Sequence, residues 1–414
     1  MLERRRVVIT GVGAITSLGI EKRQIWTSLC EGKSGIKPIA SFDSSSHGVH
    51  FGGEASDFDP AKWFDVKEAR RLDRFAQFAL AAAIRAVEDA QLNTCGYDPT
   101  RVGVLIGSGM GGLQELETQH GNLMNKGPSR ISPLMVPKLM VNAASAQVAI
   151  RFGLKGPNYA LVSACTTGGN AIGEASRMIQ RGEADAMVVG SSEAVITPLG
   201  VGGFSAMKAL STRNDAPQKA SRPFDKDRDG FVISEGAGVL VIEDMEFAKK
   251  RGAYIYAEVL GYGLNTDAYH IAAPEGSGDG AIRCMKSALK DAGCNPEDIQ
   301  YINAHATSTP IGDSIEVIAI KNVFGQYASK IPVSSTKSML GHQLGAAGSV
   351  EAIICAFVIN EGIIPPTINY ETPDPECTGL DFVPNVAREK KVTTVLSNSF
   401  GFGGHNAAII LGKV

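Results

Sequence analysis

Cys165 has the sequence neighbours that a reactive thiol needs. Tyr159 to Ala164 is largely apolar, the run breaks at Cys165, and Thr166, Thr167, Gly168 and Gly169 lead to Asn170. Beyond it Ile172, Ala175, Met178 and Ile179 recur at helical spacing and Gly182 ends the pattern, so the spacing predicts a strand-to-helix turn at Cys165. A helix N-terminus offers free N–H groups and about half a positive charge, which favours thiolate and leaves donors for an oxyanion. An inert core cysteine is the plain alternative. Two histidines weigh against it. His305 ends an apolar strand among Asn303, Thr307, Ser308 and Thr309, and His342 lies between Gly341 and Gly345, where the backbone can approach closely. His47, His50, His120 and His270 lack such company. Glu351 stands in the apolar run Ala346 to Ile354, where an unpaired carboxylate would cost several kcal/mol or take up a proton. Lys337 is its natural partner, either as a plain structural ion pair or as a group that tunes the histidines. Cys165 with His305 alone would also suit a cysteine hydrolase.

The elements that must position these residues follow from composition and periodicity. The chain has 414 residues, 44% of them hydrophobic, enough for two or three domains with large cores. A net charge of −3 gives no reason to expect nucleic acid as a partner. Its seven cysteines, Cys30, Cys95, Cys165, Cys284, Cys294, Cys355 and Cys377, show no CxxC spacing, which suggests a reducing cytoplasm and no zinc site. The basic and apolar start imitates a signal peptide, but Gly11, Gly13 and Gly19 interrupt it, and a first strand from Arg6 to Thr10 turning at Gly11 is expected instead. No segment reads as long and apolar enough to span a membrane.

Leu72 to Leu92 reads as an amphipathic helix with Leu72, Phe75, Ala79, Ala83 and Val87 on one face. The strand Arg101 to Ile106 runs into Gly107-Ser-Gly-Met-Gly-Gly112, which matches the dinucleotide fingerprint but lacks the acidic residue that would bind a ribose. Asp225 to Gly230 imitates the start of a calcium loop, with Gly236 where the twelfth-position Glu belongs. From Tyr256 the strand and helix grammar starts over. Leu161 to Cys165 corresponds to Pro332 to Thr336, and Gly238 to Ile242 corresponds to Ala407 to Leu411. The expectation is an α/β fold made of duplicated halves, residues 1–255 and 256–414, with two largely parallel sheets and the site between them.

Five long motifs, in order over nearly the whole chain, carry a resemblance. They are Ser163 to Gly168, Arg222 to Phe231, Asn303 to Asp313, Ser335 to His342 and Asn398 to Gly404. Together they resemble the thiolase-fold condensing enzymes of dissociated fatty-acid synthesis. The resemblance implies a layered αβαβα architecture, a homodimer, and elongation of an acyl chain by two carbons from malonyl-[acyl-carrier-protein] with loss of carbon dioxide. It implies no cofactor and no metal. Carried over by position, Cys165 takes the acyl group as a thioester, and His305 and His342 stabilise the enolate left by decarboxylation. Those residue types suit the task, because a thiolate makes an exchangeable thioester and two imidazole donors hold an oxyanion without a metal. The N–H groups of Cys165 and Phe402 correspond to an oxyanion hole, and Phe402 to a gating aromatic. Thr307 and Thr309 correspond to the lining of the phosphopantetheine tunnel, and Met110, Phe204 and Phe400 to substrate contacts. Lys67, Arg70, Arg71, Arg130 and Lys208 correspond to a docking face for the acidic acyl carrier protein, with Ser129 in place of a base. Ala272, Ala273, Ala306, Leu340 and His405 depart from the family pattern without touching Cys165, His305 or His342. The resemblance also spans type I synthases, polyketide ketosynthases and non-catalytic partner subunits; the last should lack the nucleophile.

Overall fold

Val7 to Ile15 form strand β1 (Val7–Ile15), every residue of it buried. The strand continues through Gly11 and Gly13, where a turn was expected, with one shift of register between Ile9 and Gly11. A Cβ on Gly11 would stand 2.2 Å from the Ala86 carbonyl oxygen, and one on Gly13 2.1 Å from that of Ala82. The two glycines therefore let helix α1 (Arg74–Asp89) lie directly on the strand. That helix begins later than the hydrophobic pattern suggested, because the Asp73 side chain caps it by accepting the N–H of Phe75. The computed structural model describes residues 4–92 and 96–414; Cys95 lies outside them.

Four further strands of the first half join the main sheet: β2 (Val102–Gly107), β3 (Asn158–Tyr159), β4 (Ala186–Glu193) and β5 (Gly236–Asp244). The second half holds β6 (Ala257–Thr266), β7 (Tyr301–Asn303), β8 (Val333–Ser334), β9 (Thr394–Gly401) and β10 (His405–Gly412). The spatial order is β8-β7-β9-β10-β6-β1-β5-β4-β2-β3, so the second half repeats the first in mirror sequence. Two residue pairs, Val8 with Glu258 and Ile9 with Ala257, join the halves into one ten-stranded sheet. The expected pair of largely parallel sheets is corrected accordingly. In each half three strands run parallel, and the other two pair antiparallel. Only the short turn Phe402–Gly404 separates β9 from β10, too few residues for a parallel crossover.

Side chains alternate along the strands and explain the layers. Val104, Val188 and Val241 face outward onto α1 and α2 (Ala143–Phe152). Leu105, Val189 and Leu240 face inward onto α3 (Thr167–Gln180) and α6 (Ala347–Glu361). In the second half Leu396 and Ile410 face α4 (Asp279–Ala292) and α5 (Pro310–Phe324), while Val395 and Ile409 face the same inner helices. The αβαβα layering is therefore present, and burial on both faces accounts for the nearly continuous apolar strands. Among the described residues one segment, Leu344–Glu361, is long and apolar enough to cross a membrane, contrary to the sequence reading. It is α6 with its leading turn, 89% buried between the two halves, so its composition reflects the core.

Candidate active site

Parallel strands of both halves end on one side of the inner helices, and the loops that leave them carry the chemistry. After β3 the chain tightens at Ser163 and Ala164 into a 3₁₀ turn, Ala164–Thr166, at the head of α3. The Ser163 N–H donates to Thr167 Oγ1 at 3.0 Å, the Thr167 hydroxyl to the Ala164 carbonyl at 2.7 Å, and the Thr166 hydroxyl to the Ser163 carbonyl at 2.7 Å. These bonds present Cys165 Sγ to His342 Nε2 at 3.0 Å. The expected thiolate is not the resting form. Burial pushes the thiol up to about 12, outweighing the Lys337 ammonium and the N–H groups of Phe402 and Cys165 that favour the anion. The helix terminus supplies donors, and ionisation has to come from the contact with His342.

His305 follows β7 directly, and a buried carboxylate fixes its backbone. Glu316 Oε1 accepts the His305 N–H at 3.0 Å and Oε2 the Ala306 N–H at 2.7 Å, with Asn398 Nδ2 adding a third bond at 3.0 Å. The His342 N–H donates to the Val232 carbonyl at 2.7 Å, and its ring stands edge-on to Phe231 at 5.4 Å and to His305 at 5.3 Å. Burial, reinforced by the nearby Lys337 ammonium, holds both imidazoles well below the usual histidine value, so both are neutral. Lys337 begins a short helix, Lys337–Leu340, and contacts the Glu351 carboxylate, both side chains being 2% exposed. Burial raises Glu351 to about 7 against the pull of that ammonium.

Ligand atoms of Cys165, His305 and His342 all lie within 4.8 Å of one another, the only such group among the described residues. That N₂S donor set could also hold a soft divalent ion, a possibility the cysteine spacing gave no hint of. The three residues sit in a cavity of about 470 Å³ lined also by Thr307, Thr309, Phe400 and Phe402. Ala272 and Ala273 line it as well, and Lys208 stands exposed at its border.

Other expected site residues lie elsewhere. Met110 is outside the cavity lining and 45% exposed, its N–H held by Glu193 Oε1 at 3.0 Å. Phe204 is half-buried against Phe231, edge-on at 5.5 Å, and does not line the cavity. Lys67, Arg70, Arg71 and Arg130 are exposed, none of them on the cavity. Ala306 and Leu340 are buried behind the site, and His405 is exposed at the start of β10.

Glu316 and Glu193 were missed by the sequence reading. The signal for Glu316 was present, since an acid in the apolar stretch Ile315 to Ile320 calls for the same reasoning applied to Glu351. Glu193, fully buried at the end of β4, gathers the Ser108 hydroxyl and the N–H groups of Gly109, Met110 and Gly345. The apparent dinucleotide loop therefore wraps a carboxylate of the protein itself. Likewise Arg228, inside the apparent calcium loop, donates to the Thr309 carbonyl at 3.1 Å and the Pro310 carbonyl at 2.7 Å and contacts Asp374.

Comparison with known proteins agrees with this geometry. Residues 4–248 match the model of the beta-ketoacyl synthase N-terminal domain and residues 256–371 that of the C-terminal domain. The chain is 52% identical over 413 residues to 3-oxoacyl-[acyl-carrier-protein] synthase 2 of Coxiella burnetii, covering 100% of both. It is 52% identical over 412 residues to the protein of the same name from Synechocystis, covering 100% of this chain and 99% of that one. Among solved structures, the ishigamide ketosynthase/chain length factor superposes with a TM-score of 0.93 at 37% identity, over 100% of both chains. A ketosynthase of a type II polyketide system in complex with its acyl-carrier protein superposes with a TM-score of 0.91 at 35% identity, again over 100% of both.

Proposed function

Because this chain belongs to the beta-ketoacyl synthase family, we propose that it elongates fatty acyl chains by decarboxylative condensation of acyl- and malonyl-[acyl-carrier-protein]. The observation that carries the reading is the 3.0 Å contact of Cys165 Sγ with His342 Nε2, beside His305, in a cavity of about 470 Å³. In the first half-reaction Sγ attacks the acyl thioester carbonyl and the bond to the carrier sulfur breaks. The thiol proton leaves on that sulfur, and the N–H of His342 that faces Sγ steadies the sulfur as it ionises. The N–H groups of Cys165 and Phe402 lie beside Sγ and are the donors for the carbonyl oxygen at that moment.

The malonyl arm follows. Its carboxylate leaves as carbon dioxide, and the electron pair of the broken bond becomes an enolate whose oxygen accepts from His305 and His342. Each ring, neutral at rest, still keeps one N–H to donate to that oxygen. The enolate carbon then attacks acyl-Cys165, the thioester bond to Sγ breaks, and the freed thiolate takes a proton from solvent. Lys337, held by Glu351, adds its positive charge to the burial that keeps both rings neutral. Thr307 and Thr309 offer hydroxyls to the pantetheine arm, and Phe400 and Phe402 border its path. Lys208 is the basic group nearest that path, and Lys67, Arg70, Arg71 and Arg130 extend the positive surface offered to an acidic carrier.

A homodimer fits the surface. The edge strand β3 is exposed, and Met124, Val136, Ile150 and Val162 expose 70%, 59%, 72% and 55% of their area, Val162 only three residues before the nucleophile. Six free cysteines among the described residues support a reducing compartment, the cytoplasm. The deciding experiment is mass spectrometry after incubation with acyl-[acyl-carrier-protein]. The expected result is one acyl adduct on Cys165, discharged by the malonyl carrier with release of carbon dioxide. Discharge by water alone would support a hydrolase instead.

A further inference from the structure

The turn that carries Cys165 is held in a conformation its residues disfavour. Ala164, immediately before the nucleophile, has φ 50°, in the left-handed region that a residue with a Cβ seldom adopts. Such a conformation persists only where the surroundings over-determine it. The bonds to Thr166 and Thr167 are local, and the two threonines belong to the same turn. Besides His342 at Sγ, a second side chain braces the backbone of that turn. Asn170, a turn further into α3 and 7% exposed, donates from Nδ2 to Ser163 Oγ at 2.8 Å and to Thr166 Oγ1 at 3.1 Å.

The amide is itself oriented from the other half of the fold. Its Oδ1 accepts the hydroxyl of Tyr262, on β6, at 2.8 Å. A phenol that donates to Oδ1 leaves Nδ2 facing Ser163 and Thr166, so the amide has one consistent orientation. The Tyr262 ring is fixed in turn. Gly173 makes room for it, since a Cβ there would lie 2.4 Å from the ring, and the Arg177 guanidinium lies 4.6 Å from its centroid. Neither Asn170 nor Tyr262 lines the cavity.

We propose that Asn170, oriented by Tyr262 across the junction of the two halves, is a positioning residue for the Cys165 thiol. The inference rests on the reading of Cys165 as the acyl acceptor and assigns this pair to acyl transfer alone. Decarboxylation depends on His305 and His342, which the Glu316, Asn398 and Val232 bonds hold independently of Asn170.

The test uses full-length Asn170→Ala, Tyr262→Phe and the double variant. Measured are the rate of Cys165 acylation from acyl-[acyl-carrier-protein], the rate of its alkylation by iodoacetamide, and carbon dioxide release from the malonyl carrier. Asn170→Ala is expected to slow acylation and alkylation by roughly tenfold, as misplacement of a reacting group does, with decarboxylation within about twofold of the wild type. Tyr262→Phe removes a single oxygen atom and should slow both thiol reactions by about threefold. The double variant should match Asn170→Ala, because Tyr262 acts through the amide. Unchanged thiol reactivity in Tyr262→Phe, an equal fall in decarboxylation, or additive effects in the double variant would overturn the proposal. Alkylation needs no carrier. If the carrier fails to acylate wild-type Cys165, the functional reading fails while the alkylation arm still judges the positioning claim.

Discussion

A buried thiol at about 12 and two neutral histidines describe a site whose charges are withheld until substrate arrives. Cys165→Ser should retain the fold and lose acylation by several orders of magnitude, since a hydroxyl is a far poorer nucleophile here, and intact-protein mass spectrometry would show it. The histidines also bear on stability. Their folded values lie below the unfolded value of about 6.5, so the unfolded chain binds more protons as pH falls through 6.5 and stability drops with it. Glu351 and Asp313, raised by burial to about 7, act in the opposite sense above their unfolded values. The histidine contribution is therefore read as a difference. Between pH 6.5 and 5, His305→Gln or His342→Gln should flatten the loss of stability by up to about 1.4 kcal/mol per pH unit relative to wild type in urea titrations. Lys337→Met leaves Glu351 buried without its cation and should cost about 3–5 kcal/mol, while Lys337→Met with Glu351→Leu should recover most of it. Cys165, His305, His342, Lys337 and Glu351 were all legible in the sequence, because each is a polar or reactive residue set in an apolar or glycine-rich run. The state of the thiol was not legible, since burial and helix position pull it in opposite directions and only the structure gives their balance.

Helices were legible where a helical period ran uninterrupted, as in α1 and α3, and a strand where a short apolar run met a glycine-rich turn, as in β2. The failures share a cause. Gly11 and Gly13 look like a turn in one dimension, yet the close approach of α1 is what requires them. Gly109 looks like part of a nucleotide loop, yet an added Cβ there would come within 2.8 Å of Glu193. In each case the partner lies far away in sequence. Gly13→Ala should cost about 1–3 kcal/mol by forcing α1 off β1, with a drop in thermal midpoint and without a selective effect on either half-reaction. Arg228 belongs to this scale too, tying the strand-end loop of Thr309 to the chain around Asp374.

At the scale of the whole molecule, duplication was legible from matched strand motifs, while the mirror order and the two-pair seam between halves were not. Residue pairing across β1 and β6 leaves no trace in hydrophobic pattern. The expected carrier-docking bases separate at this scale, with Lys208 at the cavity border and the others away from it. Lys208→Glu should therefore raise the KM for acyl-[acyl-carrier-protein] several-fold with kcat little changed, and more than Lys67→Glu does, the difference shrinking in high salt. The cavity that reaches Cys165 is the one that reaches His305 and His342. Two carriers that share one doorway have to queue: the first must withdraw its arm before the second can offer its own. Initial-rate plots at several fixed concentrations of the second carrier should then give parallel lines, and excess malonyl carrier should slow the reaction by occupying the free enzyme ahead of its turn.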